Sequence, residues 1–199
     1  RDHSLKMASK IKKICNKLKI QFVFKSCYNK DSRSSPESFN GIGIDDGLKI
    51  LEDVRNNIGV PVVADFSDPA WAQPTAEVVD LLQIPAYLCR QTSLIEAAVK
   101  AVGKEKNITS AVNIKKGQFL APWDSEMVIK KARSFNSHMD RNQLWLTERG
   151  TSFGYNNLVV DMKGFYYLKK TGCPIIMDAT HAVQEPGANG ASSGGKRFL

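Results

Sequence analysis

The sequence predicts an α/β protein built on a parallel sheet with helical crossovers. Three observations carry this reading. Short β-branched runs alternate with stretches of helical periodicity along the whole chain, the pattern of successive βα units. The predicted strands end, on their C-terminal sides, in Lys25, Asp65, Gln83, Lys115, Arg149 and His181. In a parallel sheet those ends share one edge, where α/β proteins place their ligands. Finally, 199 residues with 42% hydrophobic and 24% charged content suit one domain, residues 1–199, with its own core. Two architectures fit the alternation: an open doubly wound sheet and a closed eight-stranded barrel.

The elements follow in order. Residues 2–18 place Leu5, Ala8, Ile11, Ile14 and Leu18 at helical spacing. This stretch is basic, but it leads straight into a strand, which argues for a helix over a transit peptide. "IQFVFKS" (20–26) is the first strand. A helix over 44–57 carries Asp45 and Asp46 in its first turn, where the helix dipole favours them. "PVVADF" (61–66), a helix over 72–78, and "VVDLLQI" (78–84) come next. A helix over 93–102 leads through the polar insert "GKEKNITS" (103–110) to "SAVNIK" (110–115). The helix over 124–135 takes Asp124 or Ser125 as its N-cap. "LWLTER" (144–149) precedes a helix over 161–171, ended by Gly172 as a C′ glycine and by Pro174. "PIIMDATH" (174–181) is the sixth strand. "PGANGASSGG" (186–195) is a long loop suited to covering a ligand.

The net charge of +8 admits nucleic acid, an acidic membrane surface or small anions as partners. No window approaches eighteen consecutive apolar residues, so no transmembrane helix and no membrane partner is expected. Cys15, Cys27, Cys89 and Cys173 form no CxxC pair and read as reduced, mostly buried thiols of a cytosolic protein. Lys25, Lys30, Arg33, Arg90, Lys115, Lys116 and Arg149 fall at or just after strand ends, with Asp65 and Glu148 beside them. Such a density of cations suits phosphate and carboxylate groups. A nucleic-acid surface would gather its Lys and Arg on one outer face instead. Each residue also has a plain alternative. Lys115 and Lys116 could form a solvated turn, Arg149 and Glu148 a structural ion pair, and Asp65 a helix cap. His181 could be a satisfied strand-end histidine, and Asp178 could brace a neighbour.

Five ordered stretches then resemble one family. "FVFKSCYNKDSRSSPESF…G" is similar to the F-K-x-S-[FY]-D-K-A-N-R-S-S loop of the 3-deoxy-D-manno-octulosonate 8-phosphate synthases. "QIPAYLCRQTSL" resembles their QIPAFLxRQTDL segment, and "VNIKKGQFLAPWD", "LTERGTSFGYNNLVVDM" and "DATHAVQEPG…SSGGKR" match further segments in order. The related DAHP synthases, with a shorter K-P-R-T-S loop, fit less well. The resemblance implies a (β/α)8 TIM barrel, here without its first and last strands. It implies a transferase that condenses phosphoenolpyruvate with D-arabinose 5-phosphate, releasing 3-deoxy-D-manno-octulosonate 8-phosphate and phosphate. It also implies a cytoplasmic homotetramer serving lipopolysaccharide synthesis, with no nucleic-acid or membrane partner.

Carried over by position, the resemblance gives Lys25 and Lys30 the phosphoenolpyruvate carboxylate. Lys115, Arg149 and the Ala86 backbone take its phosphate, with Gln118 beside them. Ser32, Arg33 and Ser34 take the sugar phosphate, and Arg90 lines a subunit boundary nearby. Asp65 and His181 join Lys25 and Lys30 as catalytic residues. His181 either ligates a divalent metal (zinc, iron or manganese) or, in the metal-independent branch, orients the attacking water. "KKGQFLAPWD" is closer to the metal-dependent branch.

The sequence also departs from the family pattern. The family's Ser, Asp and Asn are Cys27, Asn29 and Ser32 here, its D-[IV]-H-E reads "DFSDP" with Ser67 and Asp68, and its G-P-G reads "GIG". These changes fall on functional positions and raise a second reading: an impaired or retuned relative that binds phosphorylated sugars or acids. A six-stranded chain is expected to leave two parallel edges unpaired. The family's first and last strands carry the Cys or Asn and the two acidic residues that would complete a metal site with His181.

Overall fold

The structure is a computed structural model that describes residues 1–104, 108–196 and 198. Residues 105–107 of the predicted polar insert and Arg197 of the last motif lie outside the described residues. In chain order the helices are α1 (Asp2–Leu18), α2 (Ile44–Asp53), α3 (Ala72–Ala76), α4 (Thr92–Ala101), α5 (Ser125–Phe135), α6 (Gly164–Lys169) and α7 (Ala179–Ala182). The strands are β1 (Phe24–Lys25), β2 (Val62–Asp65), β3 (Leu81–Ile84), β4 (Ala111–Lys115), β5 (Leu144–Glu148), β6 (Thr151–Ser152), β7 (Leu158–Val159), β8 (Ile175–Met177), β9 (Gln184–Glu185) and β10 (Gly194–Gly195).

Six strands form one sheet in the order β1-β2-β3-β4-β5-β8, and every pairing in it is parallel. The sheet is the curled half-barrel of a TIM-type fold, with β1 and β8 at its edges. The other four strands make two short antiparallel ribbons, β6–β7 and β9–β10, within the loops after β5 and β8.

The period-2 alternation of side chains divides the sheet into two faces. Val62, Ala64, Leu82, Ile84, Val112, Ile114, Leu144 and Leu146 point outward and join the main core with α2 to α6. The alternate positions point inward and change character along the strands. At the N-terminal end they are apolar, with Val63, Leu81 and Ala111 buried against Trp145. One step further on they become Asp65, Gln83, Asn113 and Thr147, and then Lys115 and Arg149. This inward gradient places the polar and charged side chains at the C-terminal edge.

Several predicted boundaries shift for local reasons. The first strand shrinks from 20–26 to Phe24–Lys25, because β1 has a partner on one side only and that partner starts at Val62. The predicted 78–84 strand starts at Leu81, because Val78 and Val79 donate to Thr75 and close the helix before it. The predicted 174–181 strand stops at Met177. The Asp178 side chain accepts the His181 N–H (3.0 Å) and caps a one-turn helix, so His181 stands on α7. Helix 44–57 is α-helical to Asp53 and π-helical from Val54 to Ile58, where Gly59 ends it at φ 65°. Helix 161–171 contracts to Gly164–Lys169, with Gly172 left-handed as expected.

Asp124 occupies the N-cap position of α5 but makes no side-chain cap bond to it. The Asp124 carboxylate turns back to the Ala121 N–H (3.0 Å), and the buried Ser125 hydroxyl finds no partner among the described residues. On α1, Ala8 is buried and Leu5 packs on the core, while Ile14 and Leu18 of the predicted apolar stripe are exposed. No helix among the described residues is long and apolar enough to cross a membrane.

Candidate active site

The C-terminal edge of the sheet opens on a cavity of about 390 Å³. Ten of the predicted site residues line it: Lys25, Lys30, Ser32, Ser34, Asp65, Ala86, Lys115, Gln118, Arg149 and His181. The sheet delivers Lys25, Asp65, Lys115 and Arg149 from the ends of β1, β2, β4 and β5. Ala86 opens a 3-10 turn after β3, whose first N–H groups have no acceptor within the turn. Lys30, Ser32 and Ser34 come from the β1–α2 loop and His181 from α7. Arg33, on the same loop, and Arg90 lie outside the cavity lining. Both are exposed, and Arg90 serves the fold through its carbonyl, which accepts from Lys131 Nζ (3.1 Å).

Two carboxylates organise the cations. Asp65 Oδ2 accepts from Lys25 Nζ (2.8 Å) and from the Cys27 thiol (3.0 Å), while Oδ1 accepts from Gln83 Nε2. Burial opposes ionisation of Asp65, but the Lys25 charge and these hydrogen bonds outweigh it and hold the carboxyl below its ordinary value. Burial likewise acts to lower the Lys25 ammonium, while Asp65 and Cys27 push it up to about 12. Asp65 is therefore an ion-pair partner and no helix cap. The cap there is Asp68, which accepts the Ala70 N–H (2.8 Å).

Asp178 does the same work on the other side. Its Oδ2 accepts from Lys115 Nζ (2.5 Å) and pairs with His181 Nδ1 (2.7 Å), and its Oδ1 takes the His181 N–H. Burial acts to raise the Asp178 carboxyl, but the hydrogen bonds from His181 and Lys115 hold it far below the ordinary carboxylate range. With Nδ1 committed to Asp178, His181 has Nε2 left for other partners. The idea of a bracing Asp178 is correct, and it braces two groups at once.

Lys115 and Lys116 do not form a solvated turn. Successive strand-end residues face opposite ways, so Lys115 enters the cavity and Lys116 is buried on the other side at 1% exposure. Lys116 Nζ lies 3.2–3.4 Å from the carbonyls of Gly117, Leu120 and Gly150, 3.0 Å from Thr151 Oγ1 and 3.4 Å from Glu148. It ties the loops after β4 and β5 together. Glu148 also accepts the N–H groups of Arg149 (2.8 Å) and Gly150 (2.6 Å). The Arg149 guanidinium meets Gln184 Oε1 (3.0 Å) instead of Glu148, so the structural ion pair at this strand end is Lys116–Glu148. Burial lowers the Arg149 pKa, against Asp178 and Glu148, which raise it.

The family's altered positions are also in the wall. Cys27, Asn29 and Ser67 line the cavity, as does Asp31. Asp31 accepts from Asn29 Nδ2 (2.6 Å) and from the Ser67 hydroxyl, joining the loops after β1 and β2. Gln83, Asn113, Thr147 and Gln184 all fall within the stretches that resemble the family, but of these only Gln83 stands out from the sequence, as a polar strand end. Their one further signal in the sequence is polarity at alternate positions of otherwise apolar strands.

Residues 1–197 match the DAHP synthetase I family. The chain belongs to this family. It is 51% identical over 194 residues to a protein of Acidithiobacillus ferrooxidans named 2-dehydro-3-deoxyphosphooctonate aldolase, covering 98% of this chain and 65% of that protein. Proteins of the same name are 48% identical over 199 residues in Bordetella petrii (99% and 68%) and 50% identical over 196 residues in Synechococcus (98% and 65%). That name denotes the octulosonate 8-phosphate synthase of the sequence resemblance. The chain thus spans about two thirds of the length of the curated relatives it matches.

The divalent metal implied for one branch of the family needs a converging ligand set. Among the described residues no three His, Cys, Asp or Glu side chains converge in this way. His181 supplies one imidazole, against the three protein ligands usual at a catalytic zinc site.

Proposed function

We propose that this chain carries the phosphoenolpyruvate-binding wall of an enzyme that condenses phosphoenolpyruvate with D-arabinose 5-phosphate, giving 3-deoxy-D-manno-octulosonate 8-phosphate and inorganic phosphate. The observation that carries this reading is the convergence of Lys25, Lys30, Lys115, Arg149 and His181 on one cavity. The reaction brings two phosphates and a carboxylate together, and fixed cations in a partly desolvated site offset that repulsion.

In this reading Lys25 and Lys30 hold the phosphoenolpyruvate carboxylate. Lys115, Arg149 and the Ala86 N–H hold its phosphate, and Gln118 flanks it. Ser32, Ser34 and Arg33 take the sugar phosphate, with the β1–α2 loop moving Arg33 inward. Asp65 and Asp178 hold Lys25 and Lys115 at the wall, so each clamp neutralises a lysine. Among the described lining residues that leaves Lys30 and Arg149 without a direct ion pair, and they draw the anions in. His181, held by Asp178 at Nδ1, uses Nε2 to orient the water that replaces the departing phosphate. The enzyme acts in the cytoplasm, in lipopolysaccharide synthesis, as a homotetramer with Arg90 near a subunit boundary.

The test is phosphate release from phosphoenolpyruvate by the purified chain, with and without arabinose 5-phosphate, and with EDTA or added zinc, iron or manganese. Calorimetric titration with phosphoenolpyruvate runs in parallel. Saturable binding that weakens at least tenfold in Lys115→Met is the expected result, the loss of one charge-assisted phosphate contact. A folded chain that binds no phosphoenolpyruvate would refute the proposal.

A further inference from the structure

The inward row at the C-terminal edge has a property that no single residue in it displays. Thr147 Oγ1 donates to Asn113 Oδ1 (2.9 Å), Asn113 Nδ2 donates to Gln83 Oε1 (2.8 Å), and Gln83 Nε2 donates to Asp65 Oδ1. Asp65 then accepts from Lys25. The row crosses five adjacent strands, β5, β4, β3, β2 and β1. Asp65, Gln83 and Asn113 occupy matched positions in the ladders, and Thr147 lies two residues beyond the partner of Asn113, on the same face. Gln83, Asn113 and Thr147 are 5%, 2% and 3% exposed.

The direction of this row is forced. An ionised carboxylate only accepts, so Gln83 must present its amide nitrogen to Asp65 and its oxygen to Asn113. That in turn sets the Asn113 amide, whose oxygen must face the Thr147 hydroxyl. Turning either amide over would set donor against donor or acceptor against acceptor in a buried site.

Burial alone does not call for such a row. Val63, Leu81, Ala111 and Trp145 cover the same face one layer below with no side-chain hydrogen bond from strand to strand; the Trp145 indole donates only to the Asn142 carbonyl three residues back. Buried polar groups with satisfied bonds gain little over well-packed apolar ones. The row, moreover, does not close on itself. It ends on the carboxylate that holds Lys25, a long side chain that remains 38% exposed and loses its fixed position when its partner rotates.

We propose that Gln83, Asn113 and Thr147 are positioning residues, a one-way row of hydrogen bonds that aims the Asp65 carboxylate and through it the Lys25 ammonium at the cavity. The link to ligand binding rests on the reading of Lys25 as a phosphoenolpyruvate contact; the link to Lys25 itself does not.

The experiment compares the native chain with Asn113→Leu, Thr147→Val and Thr147→Ser. The first readout is the pH dependence of Lys25 acylation by acetic anhydride, followed by mass spectrometry and normalised to the exposed Lys49. Asn113→Leu is expected to acylate Lys25 about tenfold faster at fixed pH, as one unit of lowered ammonium pKa requires. Thr147→Val moves it in the same direction by about threefold, being one link further away, and Thr147→Ser restores the native rate. The second readout is phosphoenolpyruvate affinity, expected to weaken in the same order.

If Asn113→Leu fails to fold, the Thr147 pair decides alone. Unchanged Lys25 acylation in the folded variants would overturn the proposal, whatever the ligand does. A native chain that binds no phosphoenolpyruvate, with acylation shifted as expected, would remove the ligand reading and leave the positioning role standing.

Discussion

Replacing Asp178 with Asn tests the better buried of the two carboxylate clamps. The side chains of Lys115 and Asp178 are 10% and 15% exposed, and the carboxylate accepts three hydrogen bonds, from Lys115 Nζ, His181 Nδ1 and the His181 N–H. Removing one partner of a buried pair costs about 3–5 kcal/mol. Asn keeps the shape and one acceptor oxygen, and the pair borders an open cavity, so the expected loss is about 2–3 kcal/mol at pH 7. The pH dependence has a definite sign. The folded carboxyl lies far below its unfolded value of about 3.9, so its stabilisation is present in full above that value and fades as pH falls toward the folded pKa. Urea unfolding followed by circular dichroism, at pH 7, 5, 4 and 3, measures the native-minus-variant difference. The difference should hold from pH 7 to 5 and shrink below pH 4. A difference under about 0.5 kcal/mol at pH 7, the size of a surface pair, would refute the reasoning. So would a difference that stays constant down to pH 3.

Three further outcomes are expected. Lys116→Met leaves Glu148 and three carbonyls without their shared donor, and should cost about 3–5 kcal/mol in urea unfolding. Gly47→Ala places a methyl 2.0 Å from Tyr28 Cβ, so α2 must move off the buried Tyr28 ring, at about 1–3 kcal/mol by the same measurement. Phosphoenolpyruvate affinity should fall as salt rises from 0.05 to ~0.5 M, because Lys30 and Arg149 act on the ligand as charges at a partly open site.

The sequence carried much of this. The number of sheet strands is that expected from alternation, their sequential order is that of the barrel the family resemblance implied, and α1 runs over the residues its periodicity marks. Of the ten predicted residues that line the cavity, Lys25, Lys30, Asp65, Lys115, Arg149 and His181 were legible because ionisable groups at or just after the ends of apolar strands have no role in a core. Ser32, Ser34, Ala86 and Gln118 came only from the family resemblance. Boundaries were less legible, since a strand extends only as far as its neighbour pairs with it. β1, apolar from Ile20, is ordered as strand over two residues because β2 gives it no more ladder. Arg33 and Arg90 share the charge and motif context of the others, yet both are exposed outside the cavity lining, although Ser32 and Ser34 beside Arg33 belong to it. Gln83 was legible as a polar strand end but not as part of a row, and Asn113 and Thr147 were not legible, because amides and hydroxyls in a strand can face either solvent or a buried partner and their own residue type does not distinguish the two.

What the sequence determined by itself is therefore local: helix against strand, the inward and outward sets on each strand, and the cationic character of one edge. These follow from periodicities of a few residues, which neighbouring side chains impose on each other along the chain. Only the tertiary structure decided which charges meet. Lys25 joins Asp65 across 40 residues, and Lys115 joins Asp178 across 63. Those pairings depend on ladder register and on the curl of the sheet, which bring distant strand ends within hydrogen-bonding distance. That same curl brings the two ion-paired lysines, Lys30 and Arg149 onto the wall of a single cavity.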